Sequence, residues 1–186
     1  MIGKTIRELQ PGDHAERSRR VEAADISEFV SAVGDHNPIH SDAEFAAGTT
    51  FREPIAPGVF TAGMISAVIG TRLPGPGAIY LSQSLKFLRP VKVGDTITAR
   101  VEVLEVIPAR NRIRLATVCS NQRGEEVLSG EAWVMPSPTA VRYERARPAR
   151  AAALLLQPWL WASQTLTVWS AMSASLFSLG LRRPRS

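Results

Sequence analysis

The sequence predicts an α+β domain in which one curved antiparallel sheet wraps around a single buried helix. Residues 59–73 carry no charge before Arg72 and are apolar nearly all round, which is typical of a helix that is buried on every side. The following segments, up to about residue 136, alternate between apolar and polar side chains, which indicates antiparallel strands with one face on a core. A buried helix needs covering on all sides, and one curved sheet supplies that surface.

The first helix is predicted over residues 21–34, after one or two opening strands within residues 5–21. Its apolar residues are spaced by three and four positions: Ile26, Phe29, Val30 and Val33. Acidic residues near its start suit the helix dipole, and Gly34 is a natural stop. Residues 41–58 read as a short helix and loop, because proline and glycine interrupt them.

The strands after the central helix are predicted from their alternating pattern. In the first, "AIYLSQSLKFLRPV", one face is predicted to lie on the core and holds Ile79, Leu81, Leu85 and Phe87. In the second, the core face holds Ile97, Ala99, Val101 and Val103. Two more segments, "NRIRLATVCS" and "EEVLSGEAWVM", continue the pattern. The order of strand, helices, one buried helix and four strands is the layout known as the hotdog fold.

Charge divides the chain into two parts. Residues 1–139 hold 15 Lys and Arg against 16 Asp and Glu, whereas residues 140–186 hold 7 Arg and one Glu. We therefore predict a hotdog domain over 1–139 and, over 140–186, a basic linker followed by an uncharged hydrophobic tail. Nucleic-acid binding is not expected, because the body of the chain lacks a basic face with aromatic groups.

The tail admits three interpretations. Residues 159–181 are uncharged and flanked by arginines, as in a membrane anchor, although their Ser, Thr and Gln content makes insertion marginal. An amphipathic helix on a lipid or polymer granule surface is the second, with Trp159, Trp161 and Trp169 at the interface. An appendage without a specific role is the third.

A cytoplasmic location is expected from two features. Cys119 is the only cysteine, so no intrachain disulfide can form, and the first residues show no apolar run typical of a secretory signal. Cys119 falls on the apolar face of its strand, which predicts a packed core thiol. His14 and His36 are expected to face solvent, and no role is assigned to them.

The stretch "GDHNPIHSD", residues 34–42, is the first candidate for chemistry. Asp35 and His40 lie five residues apart across a turn containing Pro38, so both can point at one water. Histidine titrates near neutral pH, which suits it to proton transfer. Asn37 can hold the turn by bonding its own backbone. The alternative is that Asp35 and Asn37 only form the turn and His40 only caps it.

Three further residues are candidates for substrate binding. Gly58 lies where a loop meets the buried helix, so its N–H can stabilise negative charge on a carbonyl oxygen, unless glycine is there for conformation alone. Ser66 either faces a ligand or is a small spacer on the helix. Gln83 interrupts the apolar face of its strand and either lines a pocket or marks a sheet edge. No metal-ligand spacing and no phosphate or dinucleotide motif is present, so neither a metal nor a cofactor is expected.

Residues 5–136 resemble the MaoC-like hotdog hydratases, close to the short R-specific enoyl-CoA hydratases. The most specific part is Asp-x-Asn-Pro-x-His, which spans Asp35 to His40. It is followed by "PI-x-x-G" ending at Gly58, by "IYL-x-Q-x-L-x-F", and by "P-V-x-V-GD". Many relatives carry histidine where this chain has Pro57. Because Gly58 keeps its own N–H, we expect the site for the substrate oxygen to be retained.

The resemblance implies a lyase that reversibly hydrates a trans-2-enoyl-CoA to an (R)-3-hydroxyacyl-CoA without a cofactor. It assigns water activation to Asp35 and His40, binding of the thioester oxygen to Gly58, and a position near that site to Ser66. It also implies a homodimer that binds acyl-CoA across its interface. Two alternatives are a dehydratase of 3-hydroxyacyl groups on acyl carrier protein and a non-catalytic subunit that binds acyl thioesters. Acyl-chain length, and which of Asp35 and His40 takes the proton from water, stay open.

Overall fold

The computed structural model describes residues 1–144, and the predictions for the tail therefore lie almost entirely outside the described residues. Three α-helices are present in this range: α1 Ala23–Val33, α2 Ala43–Ala47 and α3 Gly58–Thr71. The strands in this range are β1 Ile2–Gly3, β2 His14–Arg20, β3 Ile79–Gln83, β4 Lys86–Phe87, β5 Thr96–Ile107, β6 Arg112–Ser120, β7 Glu126–Met135 and β8 Val141–Arg142. None of the helices within residues 1–144 is long and apolar enough to cross a membrane.

The main sheet is antiparallel and has the order β2-β5-β6-β7-β3, with β4 also pairing with β7. Helix α3 lies against strands β2, β3, β5 and β6 of this sheet. Strands β1 and β8 form a separate two-stranded ribbon. The predicted arrangement of one sheet around a central helix, the hotdog fold, is confirmed.

The core lies between α3 and the inner face of the sheet. The alternating residues predicted for β5 are all buried, as are Ile113, Leu115 and Cys119 on β6. Helix α3 contributes Ile65, Val68 and Ile69 to the same cluster. The period of two in the sequence therefore predicts the inner face of these strands correctly, because one side of each strand packs on the helix.

Helix α1 ends where the sequence predicts. Gly34 has φ 75°, in the left-handed region, and its N–H donates to the carbonyl of Val30. This conformation is easy for glycine because it has no Cβ, and it turns the chain out of the helix. The next residue, Asp35, consequently starts a new segment at the C-terminal end of α1.

The prediction that α3 is buried on every side is wrong for the described chain. Val59, Gly63, Ser66 and Gly70 are exposed. They recur at intervals of three and four, so they lie along one side of the helix. The sheet of this chain covers only the opposite side, where Thr61, Ile65 and Val68 are buried.

The predicted core face of β3 is also wrong. A register shift in the pairing of β3 with β7 lies between Tyr80 and Ser82. Tyr80 packs against the core, whereas Ile79 and Leu81 are exposed. Tyr80 precedes the shift, whereas Leu85 follows it and packs against the core as predicted, so the alternation has opposite phases on the two sides of the inserted residue. The sequence pattern carries no sign of the insertion.

Candidate active site

Asp35 and His40 come together in the turn after α1. The distance from Nε2 of His40 to Oδ2 of Asp35 is 3.6 Å. The histidine side chain is only 10% exposed, whereas that of Asp35 is 42% exposed. A 3₁₀ turn over Pro38–His40 brings the histidine back towards the aspartate. The proximity expected from their spacing is therefore present.

Asn37 holds this turn, as the sequence predicts. Its side-chain oxygen accepts from the N–H of Ile39 at 3.3 Å, which caps the 3₁₀ turn. Its own N–H donates to Oδ1 of Asp35 at 3.4 Å. Its carbonyl accepts from the N–H of His40 at 3.1 Å. Asn37 is thus bonded to both sides of the pair through its backbone and stiffens the turn between them.

The second ring nitrogen of His40 fixes its tautomer. Nδ1 lies 2.7 Å from the carbonyl oxygen of Ile55. A carbonyl can only accept, so Nδ1 must carry a proton, and a neutral imidazole then presents a lone pair at Nε2. This lone pair faces the carboxylate of Asp35. Two acceptors 3.6 Å apart can each accept one O–H of the same water molecule.

The position of the Ile55 carbonyl is set by the backbone on both sides. The N–H of Ile55 donates to the carbonyl of Ile39 at 3.2 Å, and the N–H of Ala56 donates to Val91 at 2.7 Å. Ile55 also forms an isolated antiparallel bridge with Lys92. The partner of Nδ1 is therefore held rigidly. Sequence reasoning missed it because the group involved is a main-chain carbonyl, which any residue provides.

Gly58 starts helix α3, as predicted. Among the hydrogen bonds of residues 1–144, its N–H has no protein acceptor, as is usual in the first turn of a helix. Gly58 lines an apolar cavity of about 380 Å³ together with Ile55, Val59 and Phe87. His40 lines a neighbouring cavity of about 520 Å³, together with Pro54. The segment Pro54–Pro57 thus lies between the histidine and the free N–H.

Ser66 and Gln83 are not brought to this position within the single chain. Ser66 is exposed and lies about 12 Å further along α3 than Gly58, from the rise of an α-helix. Gln83 does lie on the edge strand β3, but its amide points inward, where it bonds to Tyr80 and donates to Thr117 at 2.9 Å. Gln83 therefore lies at the sheet edge, as one of the two interpretations predicts. Its side chain, however, has a structural partner inside the sheet.

Two other titratable side chains lie in the core and are inactive at neutral pH. Cys119 is fully buried, as predicted, and burial raises the pKa of its thiol to about 12. Burial, and secondarily the nearby Cys119, raises the pKa of Tyr80 to about 12. Neither group can serve as a base near pH 7. Within residues 1–144 no cluster of three or more His, Cys, Asp and Glu side chains has a geometry suited to a metal ion.

These features define a hotdog-fold protein with a carboxylate–imidazole pair beside an apolar cavity. Residues 8–122 match the protein family described as "MaoC like domain". The match covers more than half of the chain and includes the pair, Asn37 and Gly58. The chain belongs to this MaoC-like family.

Individual relatives are similar over the same region. A 3-hydroxybutyryl-CoA dehydratase of Methylorubrum extorquens is 53% identical over 116 residues, which are 62% of this chain and 73% of that protein. An (R)-specific enoyl-CoA hydratase of Rhodospirillum rubrum is 44% identical over 128 residues, 69% of this chain and 88% of that protein. The unliganded R-hydratase PhaJ1 of Pseudomonas aeruginosa superposes with a TM-score of 0.72 at 43% identity, covering 79% of this chain and 96% of that one.

Proposed function

We propose that this protein is a hydro-lyase that reversibly adds water to a trans-2-enoyl-CoA and forms an (R)-3-hydroxyacyl-CoA. The observation that carries the proposal is the geometry of the pair: Nε2 of His40 and Oδ2 of Asp35 lie 3.6 Å apart, with Nδ1 of His40 bonded to the carbonyl of Ile55. Relatives named enoyl-CoA hydratase and 3-hydroxybutyryl-CoA dehydratase support the substrate class. The free, buried thiol of Cys119 suits a reducing compartment, and the proposal includes a cytoplasmic location.

The reaction needs a base, an acid and a donor to the thioester oxygen, and we assign these roles to Asp35, His40 and Gly58. Asp35 and His40 hold a water between Oδ2 and Nε2, and one of them takes a proton as the water oxygen bonds to C3. The C2–C3 π electrons move towards the thioester, so negative charge develops on its oxygen. The protonated pair then returns a proton to C2, which completes the addition. A positioned acid or base contributes about 10²- to 10⁴-fold to such a step.

The N–H of Gly58 stabilises the charge that develops on the thioester oxygen. It has no protein acceptor within residues 1–144 and lies at the positive end of the α3 dipole. A donor placed where charge develops is worth about 3–4 kcal/mol in the transition state. Pro57 does not weaken this role, because proline precedes Gly58 and leaves the N–H of Gly58 intact.

The direct test follows the loss of enoyl absorbance with crotonyl-CoA and analyses the chirality of the product. We expect hydration to the R isomer, and a series of enoyl-CoA substrates then defines the preferred chain length. Faster turnover of crotonyl groups on acyl carrier protein would favour the carrier-protein dehydratase instead. Binding of crotonyl-CoA without any loss of absorbance would identify a non-catalytic subunit and overturn the proposal.

We also propose that two copies join at strand β3. This strand lies at one edge of the sheet, and the side chains of Ile79 and Leu81 there are 52% and 40% exposed. An exposed apolar edge strand is a surface on which another strand can pair. Pairing of two such edges would make one continuous sheet and cover these side chains.

A charge on this edge should separate the two copies. We expect Leu81→Asp to convert a dimer into a monomer in light scattering after gel filtration, because a carboxylate would be buried against the partner strand. Leu104→Asp is the matched control, since Leu104 is 39% exposed on the interior strand β5. An unchanged dimer in Leu81→Asp, or equal dissociation in Leu104→Asp, would contradict the proposed interface.

The catalytic unit is proposed to be residues 1–139, with the tail dispensable for hydration. We expect a chain truncated after Glu144, which keeps the β1–β8 ribbon, to retain the turnover of the full chain. The reason is that the pair, Gly58 and the main sheet all lie before residue 136. Equal initial rates for the two chains check this, and an insoluble or inactive truncated chain would show that the tail contributes to assembly.

A further inference from the structure

The motif "IYLSQSLKF", residues 79–87, has no role in the proposed chemistry, but it shapes the edge of the sheet. Strand β3 ends at Gln83 and β4 starts at Lys86, and both pair with β7. Between them the N–H of Ser84 donates to the carbonyl of Glu131 at 2.9 Å, and its hydroxyl accepts from the N–H of Glu131 at 3.0 Å. A side chain thus replaces a main-chain acceptor here, and the main-chain ladder is interrupted between β3 and β4 while the register on β7 stays the same.

Gly130 and Thr117 lie beside this interruption and contact the edge segment. The amide of Gln83 crosses β7 at Gly130 and donates to the hydroxyl of Thr117 on β6 at 2.9 Å. A Cβ on Gly130 would lie 1.8 Å from the carbonyl oxygen of Ser84, so only glycine lets the edge strand come this close. Thr117 is fully buried and needs a hydrogen-bond partner, which Gln83 supplies.

Phe87 on β4 contacts the start of α3. A Cβ built on Gly58 would lie 2.7 Å from Cε1 of Phe87, so the ring is in contact with this glycine. Phe87 and Gly58 line the same apolar cavity. The ring is 55% exposed in the single chain, although a buried position would be expected for phenylalanine. Phe87 is not part of the core cluster, so packing in the core does not explain its contact with Gly58.

We propose that Phe87 is a positioning residue for hydration, whose ring walls off the Gly58 N–H and keeps bulk water from competing with the thioester oxygen. This inference rests on the proposed function. A hydrogen bond to developing charge is stronger where water is excluded, because the local dielectric is low and the donor needs no reorganisation. The effect should fall on the transition state, which carries the full charge, more than on the bound substrate.

The test compares Phe87→Ala and Phe87→Leu with Phe45→Ala. Phe45 is the matched control, because it is 50% exposed on α2 and does not line the cavity that contains Gly58. With crotonyl-CoA we expect Phe87→Ala to lower kcat at least about fivefold while KM changes less than about twofold, since binding and transition-state effects separate in this way. Phe87→Leu keeps an apolar wall and should stay within about twofold of the original chain, as should Phe45→Ala.

A double variant separates this role from a general loss of structure. Gly58→Ala places a methyl group where the ring now lies and displaces it. We therefore expect Phe87→Ala to cost little further turnover in a Gly58→Ala background, whereas independent effects would multiply. Unchanged kcat in Phe87→Ala, a change confined to KM, or multiplicative losses would each overturn the proposal. Absence of hydration by the unmodified chain would instead refute the proposed function itself.

Discussion

Replacing His40 with alanine should lower the turnover of crotonyl-CoA by at least about 10²-fold, because one member of the proton-transferring pair is lost. Asp35→Ala should have an effect of the same order. The two side chains face each other across 3.6 Å, and the proposed mechanism places one water between them, so either removal would leave that water with a single acceptor. The double variant should be little worse than either single one, since residues that act as a unit lose their effect together.

Initial rates with crotonyl-CoA, with thermal unfolding measured on the same samples, check this expectation. His14→Ala is the control, because His14 is exposed on β2 and lies outside the motif. The fold should survive both site substitutions, since Asp35 is partly exposed and His40 lies outside the buried core cluster. Ordinary turnover in either Asp35→Ala or His40→Ala would remove the proposed mechanism.

The elements of the fold were predictable where local pattern and packing agree. The end of α1 at Gly34 depends on one glycine in a left-handed conformation, and the inner face of β5 depends on strict alternation. The exposed side of α3 and the outward direction of Leu81 were not predictable. Both lie on surfaces that this chain leaves uncovered, and an apolar residue has the same sequence signature whether it packs on its own core or on a partner.

The site was predictable to the extent that it is local. Asp35, Asn37 and His40 lie within one turn, so their spacing in the sequence is enough to predict that they are close together. The carbonyl of Ile55, which bonds to His40, lies 15 residues further along the chain. The ring of Phe87, which contacts Gly58 at the start of α3, belongs to strand β4. These contacts depend on how separate segments pack. The bond to His40 is also made by a main-chain carbonyl, which every residue has, so the identity of Ile55 does not reveal it.

Gly58→Pro should abolish the contribution of the thioester-oxygen donor while the helix stays intact. Proline removes the N–H but is favoured at the first position of a helix, which Gly58 occupies. The preceding residue, Pro57, has φ −54° and ψ 133°, the extended conformation that a residue before proline prefers. The backbone of this junction is thus already compatible with the substitution.

Gly58→Ala is the necessary reference, because both variants place a Cβ against the ring of Phe87 and only proline removes the N–H. We expect kcat of Gly58→Pro to fall at least about 10²-fold below that of Gly58→Ala, in line with the loss of one donor to a developing oxyanion. Circular dichroism and the melting temperature show whether α3 is retained in both. Equal kcat in two folded variants would mean that another group binds the thioester oxygen. Gly58 would then be present for its conformation alone, which is the alternative interpretation given in the sequence analysis.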